Sequence, residues 1–194
     1  MVSMKTYLRT RNKQDNTVGS LSKVESAYIA GFLDGDGSLM LQIKKRSDGK
    51  FGLRFMPTIC LYQDTRHEKT LYWIQEKLCI GYVSRRNDGM SELRINGYKQ
   101  VANILKSLLP YIRFKEIQSK ALISACEILS STKFSKLSKK QLEQLVDLIL
   151  IIQKENYVTK KKKTRKELLA QLGFDPVTTL RPRSEDLHAE ESFL

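Results

Sequence analysis

One stretch limits the folds open to this chain more than any other: Ile29-Ala30-Gly31-Phe32-Leu33-Asp34-Gly35-Asp36-Gly37. Ser22 and Glu25 have the spacing of a capping box, which predicts a helix that starts at Ser22 and ends in the glycine-rich 34–37. Gly31 inside that helix costs about 1 kcal/mol relative to alanine, so something must offset it. Ala27, Gly31 and Gly35 recur every four residues on one face, where small side chains let another helix backbone come close. If that partner is the same helix of a second copy, a two-fold axis runs between them and their acidic ends converge. Two carboxylates about 5 Å apart repel by roughly 3 kcal/mol at an effective dielectric near 20, and helix C-termini disfavour anions further. A cation relieves this, and carboxylates with a freed glycine carbonyl are hard oxygen ligands that suit Mg²⁺. Asp34 alone also reads as a turn or capping residue. The small-residue face, the neighbouring sheet pattern and the charge favour the ion-binding reading of the segment.

The chain holds 34 Lys and Arg against 21 Asp and Glu, a net charge of +13, so its expected partner is a polyanion: DNA, RNA or an acidic membrane. No apolar run approaches the roughly 18 residues of a membrane span, and the most apolar stretch, 145–152, contains Asp147. No signal-peptide pattern follows the N-terminus. Cys60, Cys79 and Cys126 are widely spaced and lack a C-x-x-C partner, which argues against a zinc site or a disulfide framework.

After the first helix, alternation predicts a strand over 38–46, with Leu39, Leu41 and Ile43 on one face. A turn at 47–49 leads to a second strand over 51–62, where Pro57 suggests an edge or a bulge. A helix over 65–78 with a Thr65/Glu68 capping box is expected to stop at Gly81. A second hairpin, 82–87 and 91–96, turns at Asp88-Gly89. Helical patterns follow at 98–109, 115–129 and 138–155. Two hairpins make a four-stranded antiparallel sheet with one face on the helices and one open, an α+β fold. Parity places Gln42, Lys44, Arg46, Arg54, Ser84, Arg86, Glu92, Arg94 and Asn96 on the open face. That basic, hydrogen-bonding surface suits a major groove, with arginines reading guanine and Glu92 accepting from cytosine. We divide the chain into a basic arm (1–21), a core domain (22–155) and an extension (156–194) that is first basic, with six basic residues in 159–166, and then acidic.

Residues 29–37 resemble the LAGLIDADG motif, and the chain is similar to single-motif LAGLIDADG homing endonucleases over about residues 22–155. The resemblance implies an αββαββα core whose saddle-shaped antiparallel sheet lies along the major groove, working as a homodimer through Ala27, Gly31 and Gly35. It implies that Asp36 and the Gly35 carbonyl hold the metal, and that Gln63 stands near a metal-bound water. Lys115 neutralises developing phosphate charge. Asp34 takes a structural role at the helix end. The implied activity is Mg²⁺-dependent cleavage of both strands of a long pseudo-palindromic DNA across the minor groove. It leaves 3′ overhangs and promotes intron homing, with Mn²⁺ or Ca²⁺ able to substitute for binding. An organellar location follows, chloroplast first and mitochondrion second. A different class, an RNA-binding maturase that assists splicing, would use the same scaffold without Asp36. A non-catalytic DNA-binding regulator would have lost that acid. His67 stands where a basic residue is expected near the site, and His188 lies in the tail.

Overall fold

The computed structural model describes residues 19–45, 52–156 and 162–174. Residues 1–18 of the expected arm, the acidic tail with His188, the 46–51 turn with Arg46, and part of the basic run lie outside these residues. Helix α1 spans Lys23–Asp36, and its Ser22/Glu25 capping box is formed in both directions, at 3.2 and 2.8 Å. Strands β1 (Gly37–Lys45) and β2 (Leu53–Asp64) follow, then helix α2 (Lys69–Leu78), strands β3 (Tyr82–Arg85) and β4 (Met90–Asn96), and helix α3 (Tyr98–Leu108). This is the αββαββα order. Helices α4 (Glu116–Ser131), α5 (Lys139–Glu155) and α6 (Arg165–Gln171) complete the described chain.

The sheet order is β1-β2-β4-β3, antiparallel throughout. Leu39, Leu41, Ile43, Phe55, Ile59, Leu61, Leu93 and Ile95 are buried on its inner face, against Ile29 and Leu33 of α1 and the apolar sides of α3, α4 and α5. Burial of this stripe is the main stabilising term, at roughly 25 cal/mol per Å² of apolar surface. The second helix begins later than the Thr65/Glu68 spacing implies. Residues Thr65–His67 form a 3-10 turn capped by Asp64, whose carboxylate accepts the Arg66 N–H at 2.8 Å. Glu68 makes no cap because Arg85 grips it with a forked contact at 2.7 Å and the Ser91 hydroxyl donates to it at 2.7 Å. Charge-assisted bonds of this kind outcompete a local cap.

Pro57 lies within β2 opposite Leu41, with no bulge in the register. Strand β4 pairs with β2 only from Thr58 onward, so the proline sits in the half of the strand that has one neighbour. It therefore interrupts no β2–β4 pairing. The far edge of β1 is covered by the C-terminal segment: Asn156 and Gln171 donate side-chain amide hydrogens to the Leu39 and Ile43 carbonyls at 3.1 and 3.2 Å. Leu168 of α6 is buried in the same core. All three cysteines are free, with Cys60 and Cys126 buried and Cys79 exposed.

Candidate active site and nucleic-acid face

The site starts from how α1 ends. Gly37 caps the helix with its N–H on the Leu33 carbonyl and turns directly into β1. A Cβ at Gly37 would collide with the Leu33 carbonyl oxygen and with its Cδ1. The glycine is thus required by close approach. Two positions apart on α1, the two motif acids point to different sides of the helix. Asp34 is buried, and its carboxylate accepts the backbone N–H groups of Arg113 at 2.6 Å and Lys115 at 3.0 Å. Lys115 is the N-cap residue of α4, so Asp34 ties the end of α1 to the start of α4 and meets the positive end of that helix. Asp36 is exposed.

Lys115 is 8% exposed, and its ammonium donates to the Asp34 carbonyl oxygen. Burial lowers its pKa, opposed by the charges of Asp34 and Asp36. Asp34, Gly35, Asp36 and Lys115 line one cleft of about 900 Å³ that reaches the open sheet face through Ser38, Met40, Tyr62 and Arg86. The fold therefore brings Asp36 and Lys115 to one cleft, with no ion pair between them. Gln63 does not line this cleft. It is the last residue but one of β2, on the inner face opposite Ser91, and its Oε1 accepts the Asp64 N–H at 2.8 Å. His67 closes the 3-10 turn after that strand. Tyr62, Phe114, Gln118 and Glu155 also line the cleft, and neither the motif nor the charge pattern singles them out. Strand parity reaches Tyr62, which faces Glu92 across the ladder. Glu155 reaches the cleft only because α5 packs on β1, which no local pattern encodes.

The described candidates on the sheet share one face, as parity expects. Lys44 opposes Arg54, Gln42 opposes Met56, Asn96 opposes Thr58, and Glu92 lies between Ser84 and Tyr62. Asn96 accepts the Thr58 hydroxyl at 2.8 Å. Glu92 is not a free acceptor for cytosine. Arg94 grips it through Nε and Nη2 at 3.1 and 3.0 Å, and Arg86 stands 4.0 Å from its other oxygen. The Arg86 guanidinium also pairs with Asp88 at 2.9 Å and lies 5.7 Å from the Tyr62 ring centre.

The remaining face of α1 is uncovered. Ala27, Gly31 and Gly35 are exposed, and a Cβ at either glycine would meet nothing within 4 Å. Val24 and Tyr28 on the same helix, and Phe114 and Ile117 beside it, are exposed apolar side chains. Among the described residues nothing packs on Gly31 to offset its cost.

Among the described residues no group of three His, Cys, Asp or Glu is placed to hold a metal. One chain offers Asp36 and the Gly35 carbonyl. These are hard oxygen donors, and they fit Mg²⁺ or Ca²⁺ as part of a shell that other ligands complete.

A family model described as LAGLIDADG endonuclease matches residues 29–129. DNA endonuclease I-CvuI of Chlorella vulgaris is 34% identical over 111 residues, 57% of this chain and 69% of that protein. DNA endonuclease I-CreI of Chlamydomonas reinhardtii is 32% identical over 108 residues, 56% of this chain and 66% of that protein. The crystal structure of I-CvuI with its target in the presence of Ca superposes with a TM-score of 0.67 at 29% identity, covering 77% of this chain and 95% of that one. A second structure of I-CvuI, with the I-CreI target and Mg, shows that DNA uncleaved and gives a TM-score of 0.66.

Proposed function

This chain belongs to the LAGLIDADG endonuclease family, and from that premise we propose that it is a site-specific homing endonuclease that cuts both strands of a long pseudo-palindromic DNA. The observation that carries the reading is the split of the two motif acids: Asp34 is consumed by the fold, while Asp36 stands exposed in a cleft with Lys115. A carboxylate with no ion pair among the described residues, in one cleft with a buried ammonium at the border of a basic sheet face, suits a phosphodiester held by the cation and an ion held by the acid.

In this reading two copies associate through Ala27, Gly31 and Gly35, which offsets the helix cost of Gly31 and brings the two Asp36 carboxylates together. The open α1 face and its apolar neighbours support it. Asp36 and the Gly35 carbonyl of each chain would hold Mg²⁺, with Mn²⁺ or Ca²⁺ able to support binding. Such an ion supplies an activated water and neutralises the leaving oxygen. Lys115, held by the Asp34 carbonyl, presents its remaining N–H donors to the phosphate as negative charge develops. The sheet faces of the two copies lie along the major groove, and the two clefts meet across the minor groove between them, leaving 3′ overhangs. Gln63 orients the water from the end of β2, which requires its side chain to leave the Asp64 N–H. The product chemistry fits intron homing, and the green-algal sources of the relatives favour an organelle, the chloroplast first.

Asp36→Asn tests the assignment. DNA binding in Ca²⁺ is expected to persist and cleavage in Mg²⁺ to fall below detection. Cleavage at the parental rate would refute it.

A further inference from the structure

How the target is recognised can be taken one step further, given the endonuclease reading. Basic side chains on the open sheet face fall into two electrostatic groups. Lys44 and Arg54 face each other across β1 and β2, are exposed, and make no ion pair among the described residues. Their charges are free for phosphates. At the other end, Arg86 and Arg94 are matched by Asp88 and Glu92, so those four charges sum to zero. A neutral cluster adds little to sequence-independent attraction for DNA.

Its geometry is that of a prearranged reader. Glu92 is largely buried and holds Arg94 in a fork through Nε and Nη2. Arg94 Nη1 has no partner among the described residues. Beneath it, the cross-strand neighbour is the small buried Cys60, which leaves the guanidinium seated on the sheet. Arg86 is held from three sides, by Asp88, by the second Glu92 oxygen at 4.0 Å, and by the Tyr62 ring. A long side chain fixed before binding loses little further freedom when it meets a base and tolerates a mismatch poorly. Arg86 and Tyr62 also line the cleft that holds Asp36 and Lys115. Arg86 thus borders the proposed cutting site, Arg94 is tied to it through Glu92, and the free cations lie farther out along β1 and β2.

We propose that Glu92 is the specificity-determining positioning residue of this chain. It holds Arg94 and Arg86 as ordered donors to guanine edges in the base pairs next to the cleft, while Lys44 and Arg54 supply sequence-independent phosphate attraction.

The test is selection of bound and cleaved duplexes from a randomised pool by the full-length parent and its variants. Glu92→Gln is expected to lose roughly five- to 150-fold of discrimination at the base pair that Arg94 meets in each half-site, the range a bidentate pairing supplies, and less at the pair that Arg86 meets, since Asp88 still holds it. Its log–log salt slope should not become shallower, because Lys44 and Arg54 are still in place and no cation has been removed. Arg94→Lys, which keeps the charge and loses the fork, should relax the same base pair, and it decides the matter if Glu92→Gln does not fold. Lys44→Gln should weaken all duplexes evenly and make the salt slope shallower, by about 0.9 for each phosphate left unneutralised. An unchanged positional profile in folded Glu92→Gln and Arg94→Lys overturns the proposal, as does a uniform loss across all duplexes. If the parent binds no duplex, the endonuclease reading fails and this inference with it. A parent that cuts a defined site while both variants keep its profile removes only the role of Glu92.

Discussion

Replacing Asp34 by asparagine isolates what the first motif acid does. In the folded chain both of its oxygens accept backbone N–H groups, at 2.6 and 3.0 Å, where α4 begins. Asparagine keeps one acceptor but turns an NH₂ toward the other N–H, so one buried donor loses its partner and faces a second donor. A hydrogen bond to a charged group contributes about 1.5–3 kcal/mol, and an unsatisfied buried donor costs about 1–3 kcal/mol. These terms overlap, and the net loss is roughly 2–4 kcal/mol. Lys115 also loses the first of the two carboxylate charges that favour its ammonium. For a chain of this length, 1 kcal/mol lowers Tm by about 2–4 °C, so the expected drop is roughly 5–15 °C. The assay is thermal unfolding followed by far-UV circular dichroism at one fixed protein concentration, because association shifts Tm by mass action. Asp36→Asn is the matched control. Its side chain is exposed and accepts no buried N–H, so its stability should not fall by more than about 0.5 kcal/mol below the parent. A drop in Tm below about 2 °C for Asp34→Asn would refute the argument that this acid is spent on joining α1 to α4.

Gly31→Leu should leave the fold of the single chain intact, since a Cβ there meets nothing within 4 Å, yet abolish self-association in sedimentation velocity. Undiminished dimer would show that the small-residue face of α1 is not where the copies meet. Gly37→Ala should destabilise by about 1–3 kcal/mol through the collision with Leu33, read as a lower denaturation midpoint in urea with an unchanged slope. Glu68 is held down to about 2 by its bonds to Arg85 and then Ser91, from an ordinary value of 4.5. A depressed carboxylate contributes stability that is complete above about pH 4.5 and is lost as pH falls toward 2. Glu68→Gln should therefore flatten the acid limb of the stability–pH curve in that window, and an unchanged limb would assign the acid sensitivity elsewhere.

Much of the architecture is local chemistry and could be read residue by residue. The Ser22/Glu25 box, the alternation of Leu39, Leu41 and Ile43, and the turn glycine Gly89 at φ 79° each depend on neighbours a few positions away. Parity assigned the sheet face correctly for every described residue, because a strand repeats every two residues whatever it pairs with. The start of α2 was not legible. Thr65 and Glu68 have cap spacing, but Glu68 is claimed by Arg85, 17 residues on, and a local rule has no access to that competitor. Glu92 shows the same limit. Its face was predictable, but its engagement by two arginines was not.

The amino-acid sequence alone determined the motif helix, the hairpin order, the basic open face and the family to which they belong, since periodicity, capping and charge are properties of short segments. Only the tertiary structure decided which motif acid is spent and which is left exposed. It also decided that Lys115 lies buried against Asp34, and which basic side chains remain unpaired. Those outcomes turn on contacts between residues as far as 81 positions apart, which exist only once the helices close over the sheet.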